Sequence, residues 1–450
     1  MAVTAPSERA AGTPTLWSSS LDALAAGREF DTVNGTLSYI DDASVDSHRL
    51  FIVSAGNVQQ ISLGEDYLSR CDLSPIEDPA QSWNALTVGA FTDLADVEAG
   101  GPDFEGWTTI APRSDLSPWS CTGVMVPKDW PNKPDIVLEG GNIGVDSAAS
   151  WMQPTDSLQV LTTGRNLADR PFTTASGTSA ATAAAAYMVA TISAAYPTFW
   201  PETIRGLLVH SAEWTNGMWA RIDEVRHSKT QLAALLHRYG YGVPTLDRSL
   251  RSATNALTMI VQSTIHPFQS GALREMHLHD LPWPNEVLAE LGEVPVRLRA
   301  TLSYFIEPSP TRRGHLRRYS YASHQLRFDI QRPTETNDLF LKRVNKRALD
   351  EEEKRPTGGG DDDGWLLGTN TRNRGSIHSD IWEGTASDLA ARGRIAVFPV
   401  TGWWKDVKAR DHSDLGARYA LLLSIETDLD DVDLWTPVAQ QVGLPITIET

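Results

Sequence analysis

Three short runs of apolar and small residues constrain the fold of this chain more than any other feature. Leu50-Phe51-Ile52-Val53, Leu86-Thr87-Val88-Gly89-Ala90 and Asp135-Ile136-Val137-Leu138 lack the polar alternation of a strand with one wet face. Runs of this kind are buried on both faces, as in a parallel sheet covered by helices. Helical patterns accompany them. Trp17, Leu21, Leu24 and Ala25 fall on one helix face. Ser179 to Ala195 is alanine-rich without a polar stripe, which predicts a buried helix. Pro201 opens another helix at its first turn, with Ile204, Leu207 and Leu208 as its inner face. Strands alternating with helices describe an α/β layer.

Near residue 290 the period changes. Val294, Val296, Leu298, Ala300 and Leu302 alternate with Pro295, Arg297, Arg299 and Thr301, a strand with one wet face. Leu326-Phe328-Ile330, Ile395-Val397, Tyr419 to Ile425 and Ile446-Ile448 continue in that manner. Strands with few helices between them predict a mainly antiparallel β-sandwich over 290–450, after an α/β domain over 1–285. Asp350 to Gly364 reads as a solvated loop, and Asp361, Asp362 and Asp363 lack the ligand spacing of a calcium site. His277-Leu278-His279-Asp280 reads as a solvated turn in preference to a metal site.

Charge narrows the partners. Against 39 Lys and Arg stand 57 Asp and Glu, a formal charge of −18, which argues against nucleic acid and anionic membranes. No run approaches the ~18 apolar residues of a bilayer span. The N-terminal MAVTAPSERAAGTP lacks a basic stretch followed by an apolar one, so a cytoplasmic location is expected. There, Cys71 and Cys121 are expected to remain thiols.

Two stretches carry chemistry. In Thr173-Thr174-Ala175-Ser176-Gly177-Thr178-Ser179-Ala180-Ala181, a turn of small residues sets a serine at the mouth of a helix. Its hydroxyl would lie in the field of unbonded backbone N–H groups, and Gly177 would let a substrate backbone approach closely. An ordinary helix-capping serine fits the same residues. Upstream, Phe51-Ile52-Val53-Ser54-Ala55-Gly56-Asn57 ends a buried strand on an asparagine. The C-terminal edge of such a sheet is where α/β proteins bind ligands, and a carboxamide there can donate to an oxyanion. An asparagine after glycine is also a common turn residue.

Together and in this order, the two stretches resemble the oxyanion and nucleophile motifs of the subtilase family of serine proteases. Further landmarks stand where that family has them. Ala80 to Ala90 is similar to its strand ending in VGA, Asp115-Leu116-Ser117-Pro118-Trp119-Ser120 to a surface segment, and Lys133-Pro134-Asp135-Ile136-Val137 to the strand before the nucleophile loop. Gly240-Tyr241-Gly242-Val243-Pro244 resembles the turn before its last helix. The resemblance covers roughly residues 1 to 265. It implies a subtilisin-like parallel sheet flanked by helices, incomplete here, and a serine endopeptidase that needs no cofactor. Ser179 would be the nucleophile and Asn57 an oxyanion donor beside the Ser179 N–H. Ser54, Ala55 and Gly56, continuing from Val53, would wall the primary specificity pocket, with Gly177 and Thr178 lining the site. Val3, Thr4 and Ala5 would be the edge strand that pairs with a polypeptide substrate. Two departures stand out. Ala183 replaces the proline usual four residues after the serine, and the interval from Asn57 to Ser179 implies insertions around Gly64–Pro79 and Leu94–Pro112.

The resemblance also implies an Asp and a His far upstream of Asn57, and the residues before Asn57 are too few to hold them. No His-Gly pair occurs in the chain. His48 and His210 read as surface or packing residues. Loss of the base from such a triad lowers turnover on the order of a million-fold, so the chain alone is expected to be a poor protease. Met1 stands next to the presumed substrate strand, as though translation starts mid-domain, and the open sheet edge predicts a partner segment. That partner would be an N-terminal subtilase half, encoded separately or as an upstream segment. A non-catalytic peptide-binding module and a truncated gene product are the alternatives. The layout is similar to bacterial subtilases that act beside an AAA-type ATPase, which implies such an ATPase as a further partner.

Overall fold

Residues 1–40, 47–222, 228–250, 256–281, 283–311, 317–352, 364–406, 415–427 and 446–449 are described by a computed structural model. The contacts divide the chain into two units. One comprises Met1–Leu21, Leu50–Pro197 and Ser211–Ser249, and the other Asp22–Arg49, Thr198–His210 and Leu250–Thr450. The single cut expected near 285–290 is therefore replaced by an interleaved division.

In the first unit the apolar runs form the parallel core their pattern requires. β1 (Ile52–Ser54) pairs parallel with β2 (Leu86–Thr92), matching Val53 to Thr87. β3 (Asp115–Leu116) adds antiparallel at the far end of β2. β4 (Ile136–Glu139) pairs parallel with β2 on its other side, matching Gly89 to Val137. All seven residues of β2 are buried, as a central strand with both faces covered must be. A separate antiparallel hairpin, β5 (Val160–Thr163) and β6 (Phe172–Ala175), leads into the serine turn.

The alanine-rich segment is the helix α2 (Thr178–Ala195), following the short α1 (Tyr67–Asp72), and α2 packs across β1, β2 and β4. The expectation that α2 would be buried all round is corrected. Thr178, Ala181, Thr182, Ala185, Met188 and Ile192 are buried, while Ala183, Ala184, Ala186 and Ala190 are exposed and Tyr187 is 68% exposed. A helix on one sheet buries only the stripe at three- and four-residue spacing. Alanines carry too little surface to force burial of the rest.

The segment from Asp115 to Ser120, expected at the surface, is largely buried. Asp115 accepts hydrogen bonds from the Tyr67 hydroxyl (3.0 Å), the Tyr239 hydroxyl at the end of α3 (Lys229–Tyr239; 2.7 Å) and the Arg221 guanidinium (2.6 Å). Four donors, counting the Leu116 N–H, make a buried carboxylate tenable there. Cys71 and Cys121 are buried thiols, and burial pushes Cys121 up to about 12.

The second unit holds two four-stranded antiparallel sheets. One is ordered β7 (Ala256–Ile265), β13 (Ala417–Thr427), β9 (Pro295–Tyr304), β11 (Ile377–Thr385). The other is ordered β10 (Leu326–Ile330), β12 (Arg394–Pro399), β8 (Glu275–Asp280), β14 (Ile446–Glu449). The wet face expected along β9 is confined to its first residues. Beyond Arg297 the strand is buried on both sides, because the helix Pro201–Ser211 covers its polar side. From that helix the Arg205 guanidinium donates to the Ser303 hydroxyl (3.1 Å), and His210 lies 2.9 Å from the Thr301 hydroxyl.

The solvated turn expected at His277–Asp280 is corrected as well. It lies in β8, and both histidines are buried with a ring nitrogen 2.8 Å from the Tyr419 hydroxyl. No group of three His, Cys, Asp or Glu among the described residues could hold a metal ion. Of the loop expected at 350–364, the first three residues instead end α4 (Asn337–Glu352), and 353–363 lie outside the described residues. Asp361, Asp362 and Asp363 lie outside the described residues.

Candidate active site

β1 delivers Asn57 to the sheet edge through a glycine whose backbone other residues rarely adopt. Gly56 has φ +101°, and the chain turns there after the Ala55 N–H has bonded the Val88 carbonyl (2.9 Å). Across this turn lies the start of α2. The Asn57 Oδ1 accepts from the Thr178 N–H (2.9 Å) and lies 3.1 Å from the Thr178 hydroxyl, itself 3.1 Å from the Gly56 carbonyl. A backbone N–H can only donate, so the carboxamide oxygen must face Thr178 and the NH2 is left to donate elsewhere.

Gly177, at φ +92°, makes that approach possible. A Cβ there would lie 2.6 Å from the Asn57 Oδ1. The Gly177 N–H donates to the Gly140 carbonyl (2.7 Å), which anchors the turn to the end of β4. Ser179 is the second residue of α2, half-buried, with its hydroxyl donating to the Ala2 carbonyl at 3.3 Å. Its N–H lies in the first turn, where no carbonyl four residues back is available to accept it. Asn57 is thus hydrogen-bonded to the residue before Ser179, at the C-terminal edge of a parallel sheet.

The expected substrate segment is only partly open. Met1 pairs with the outer edge of β1 through the Ile52 carbonyl and the Ser54 N–H. Ala5 exchanges both backbone bonds with Asp78 (2.9 and 2.8 Å), so it cannot offer them to a peptide. Val3 and Thr4 make no backbone bond among the described residues, and Val3 is exposed. Behind them, the Glu77 N–H donates to the Ala55 carbonyl (2.9 Å). The insertion at 64–79 therefore supplies a strand-like wall between Ala5 and Ala55. Asp78 accepts from the Thr15 hydroxyl (2.7 Å) and the Gln81 amide (2.8 Å), and burial raises its carboxyl above the usual range. Sequence reasoning missed this wall, because nothing local in Ser74–Asp78 announces its long-range pairing.

No described histidine accompanies the serine turn. In the first unit the one described histidine is His237 on α3, buried, with Nδ1 2.9 Å from the Gly123 carbonyl. His48 and His210 belong to the second unit. His48 Nδ1 lies 2.6 Å from the Glu202 carboxylate, and His210 lies 2.9 Å from both the Thr301 and Ser424 hydroxyls.

A sequence model of the subtilase family matches residues 8–242, more than half of the chain. The chain belongs to the subtilase family. A relative, an uncharacterised protein (y4bN) of Sinorhizobium fredii, is 26% identical over 324 residues, covering 69% of each chain. Among solved structures, MycP1 from Mycobacterium smegmatis is 21% identical, covering 45% of this chain and 42% of that one, with a TM-score of 0.23. The epidermin leader peptide processing serine protease (EpiP) of Staphylococcus aureus is 17% identical, covering 53% and 55%, with a TM-score of 0.27. The chain spans about two-fifths of the first solved structures it matches, 41% and 38% of their lengths. Overlaps this slight carry no weight for activity. Membership of the subtilase family supports a serine-protease-like function at the level of the family.

Proposed function

We propose that this subtilase chain carries the nucleophile half of a serine endopeptidase. Ser179 attacks the scissile carbonyl to form an acyl-enzyme. The Asn57 carboxamide and the Ser179 N–H donate to the oxyanion, in a site that demands no cofactor. The observation that carries this reading is the bond from the Thr178 N–H to the Asn57 Oδ1 at 2.9 Å, which ties the carboxamide to the residue before Ser179 and leaves its NH2 to donate.

The catalytic Asp and His come, in this proposal, from an N-terminal subtilase segment, encoded separately or upstream, and without it the chain cleaves poorly. The exposed face of α2 around Ala183, Ala186, Tyr187 and Ala190 favours such a segment as its cover. A second reading, a module that holds peptides without cutting them, is favoured by the lack of any described histidine in the first unit except His237. We read the two antiparallel sheets as an accessory β-sandwich for recognition, and a cytoplasmic setting beside an AAA-type ATPase as its context.

Labelling with a fluorophosphonate tests the nucleophile directly. The full chain is treated with the probe, alone and with a polypeptide carrying a subtilase Asp strand and His helix, beside Ser179→Ala. Labelling that requires Ser179 and rises with the added segment is expected. Absence of Ser179-dependent labelling in the reconstituted pair overturns the protease reading and leaves the binding module.

A further inference from the structure

Glu77 brings a negative charge to the wall that a bound peptide would meet. Its backbone bonds Ala55, while the next residue, Asp78, is paired with Ala5. It therefore stands between Val3–Ala5 and Ser54–Gly56, the two segments proposed above to bracket a substrate. Its side chain lies directly over Gly56. A Cβ at that glycine would come within 2.5–2.8 Å of the Glu77 Cβ, Cγ and Cδ, so the absence of a side chain at 56 is what admits the carboxylate. The Gly56 carbonyl in turn lies 3.1 Å from the Thr178 hydroxyl, which places this wall one hydrogen bond from the residue before Ser179.

The carboxylate has room for further donors. The Thr4 hydroxyl donates to its Oε2, and no Lys or Arg among the described residues forms an ion pair with it. A carboxylate accepts about four hydrogen bonds, so one with a single donor from the protein and a half-open face can accept N–H groups from a cationic ligand in charge-assisted bonds. The excess of 57 acidic over 39 basic residues works in the same direction by steering cationic peptides toward the protein.

We propose that Glu77 makes this site specific for a lysine or arginine side chain on the residue before the scissile bond. The inference rests on the reading of Ser179 and Asn57 as a protease site, since that reading places the substrate between the two segments. Glu77 acts as a specificity residue and takes no part in bond making.

Binding tests it without requiring catalysis. Fluorescein-labelled hexapeptides that differ only in one central residue, Lys, Gln, Leu or Glu, are titrated against the full chain by anisotropy. The Lys peptide is expected to bind ~10-fold tighter than its Gln counterpart, with the gap narrowing as salt screens the pair. In Glu77→Gln the gap closes, and Glu77→Lys shifts preference to the Glu peptide. Gln retains an acceptor for the Thr4 hydroxyl, and circular dichroism checks that the variants fold. Binding that ignores peptide charge, no peptide binding at all, or a Lys preference that survives Glu77→Gln overturns the proposal. Ser179-dependent labelling separates the two readings. Labelling without charge preference removes Glu77 and leaves the protease. Charge preference without labelling removes the chemistry and leaves Glu77 as the determinant of binding.

Discussion

Asn57 has one structural role and one proposed catalytic role on the same side chain, and substitutions can separate them. Its oxygen holds the Thr178 N–H, and its NH2 is the proposed oxyanion donor. Asn57→Asp keeps an acceptor for Thr178 and removes the donor. In the reconstituted pair, labelling of Ser179 should fall by roughly 10²–10³-fold while thermal stability barely moves. Asn57→Leu loses both functions and leaves a buried donor unpaired, which should cost about 1–3 kcal/mol in urea unfolding. Wild-type labelling in Asn57→Asp would exclude the oxyanion role. Position 177 gives a companion case. Gly177→Ala puts a methyl 2.6 Å from the Asn57 oxygen at a φ that alanine rarely adopts, so both stability and labelling should drop. At this scale the sequence was informative because both motifs are local: a strand ending in small residues and a glycine before a helix are visible in a few positions each. Glu77 was invisible because its neighbours, Thr4, Ala55 and Gly56, come from other parts of the chain.

Among the elements, strand and helix types were legible and their surroundings were not. The runs at 52–54, 86–92 and 136–139 became parallel strands because they are mostly apolar and carry no alternating polar face. β9 alternates, yet its polar side is buried under a helix some ninety residues earlier, whose Arg205 and His210 bond Ser303 and Thr301. Periodicity reports which residues share a face and is silent about what covers it. The same limit hid the histidines of β8. Burial, and then the neighbouring His277, lowers His279 to about 4, and burial, with a smaller contribution from His48, lowers His324 to about 3. Each folded value lies below the ordinary 6.5, so on acidification the unfolded chain takes up the proton first. The stability these neutral rings allow is complete above pH ~6.5 and is lost as pH falls toward the folded values, at about 1.4 kcal/mol per pH unit for each ring. Urea unfolding at pH 7.5, 6 and 5 should show this slope, and His279→Gln should flatten it. An unchanged slope in that variant would mean that His279 is not buried and neutral in the fold.

The whole molecule is threaded so that neither unit is a continuous stretch of chain, since 22–49 and 198–210 pack with residues far beyond 250. Three groups on the helix Pro201–Ser211 show what a simple truncation would expose. Burial pushes the Glu202 carboxyl up, but His48 and Arg418 more than offset this and hold it below the usual range. The Arg205 guanidinium donates to the Tyr304 and Ser376 carbonyls, both at 2.7 Å, and His210 is 2.9 Å from the Ser424 hydroxyl. A fragment ending at 285, the boundary that composition alone suggests, removes Arg418, Tyr304, Ser376 and Ser424 together. Each buried group left without a partner costs about 1–3 kcal/mol, and domains commonly have only about 5–15 kcal/mol of stability to lose. Such a fragment should therefore lack a cooperative thermal transition by circular dichroism and be cut rapidly by trypsin within 198–210, whereas the full chain should resist cleavage there. A fragment of residues 1–285 that melts cooperatively near the full chain's Tm would show instead that the subtilase portion folds without the β-rich unit, and that the buried polar helix finds other partners.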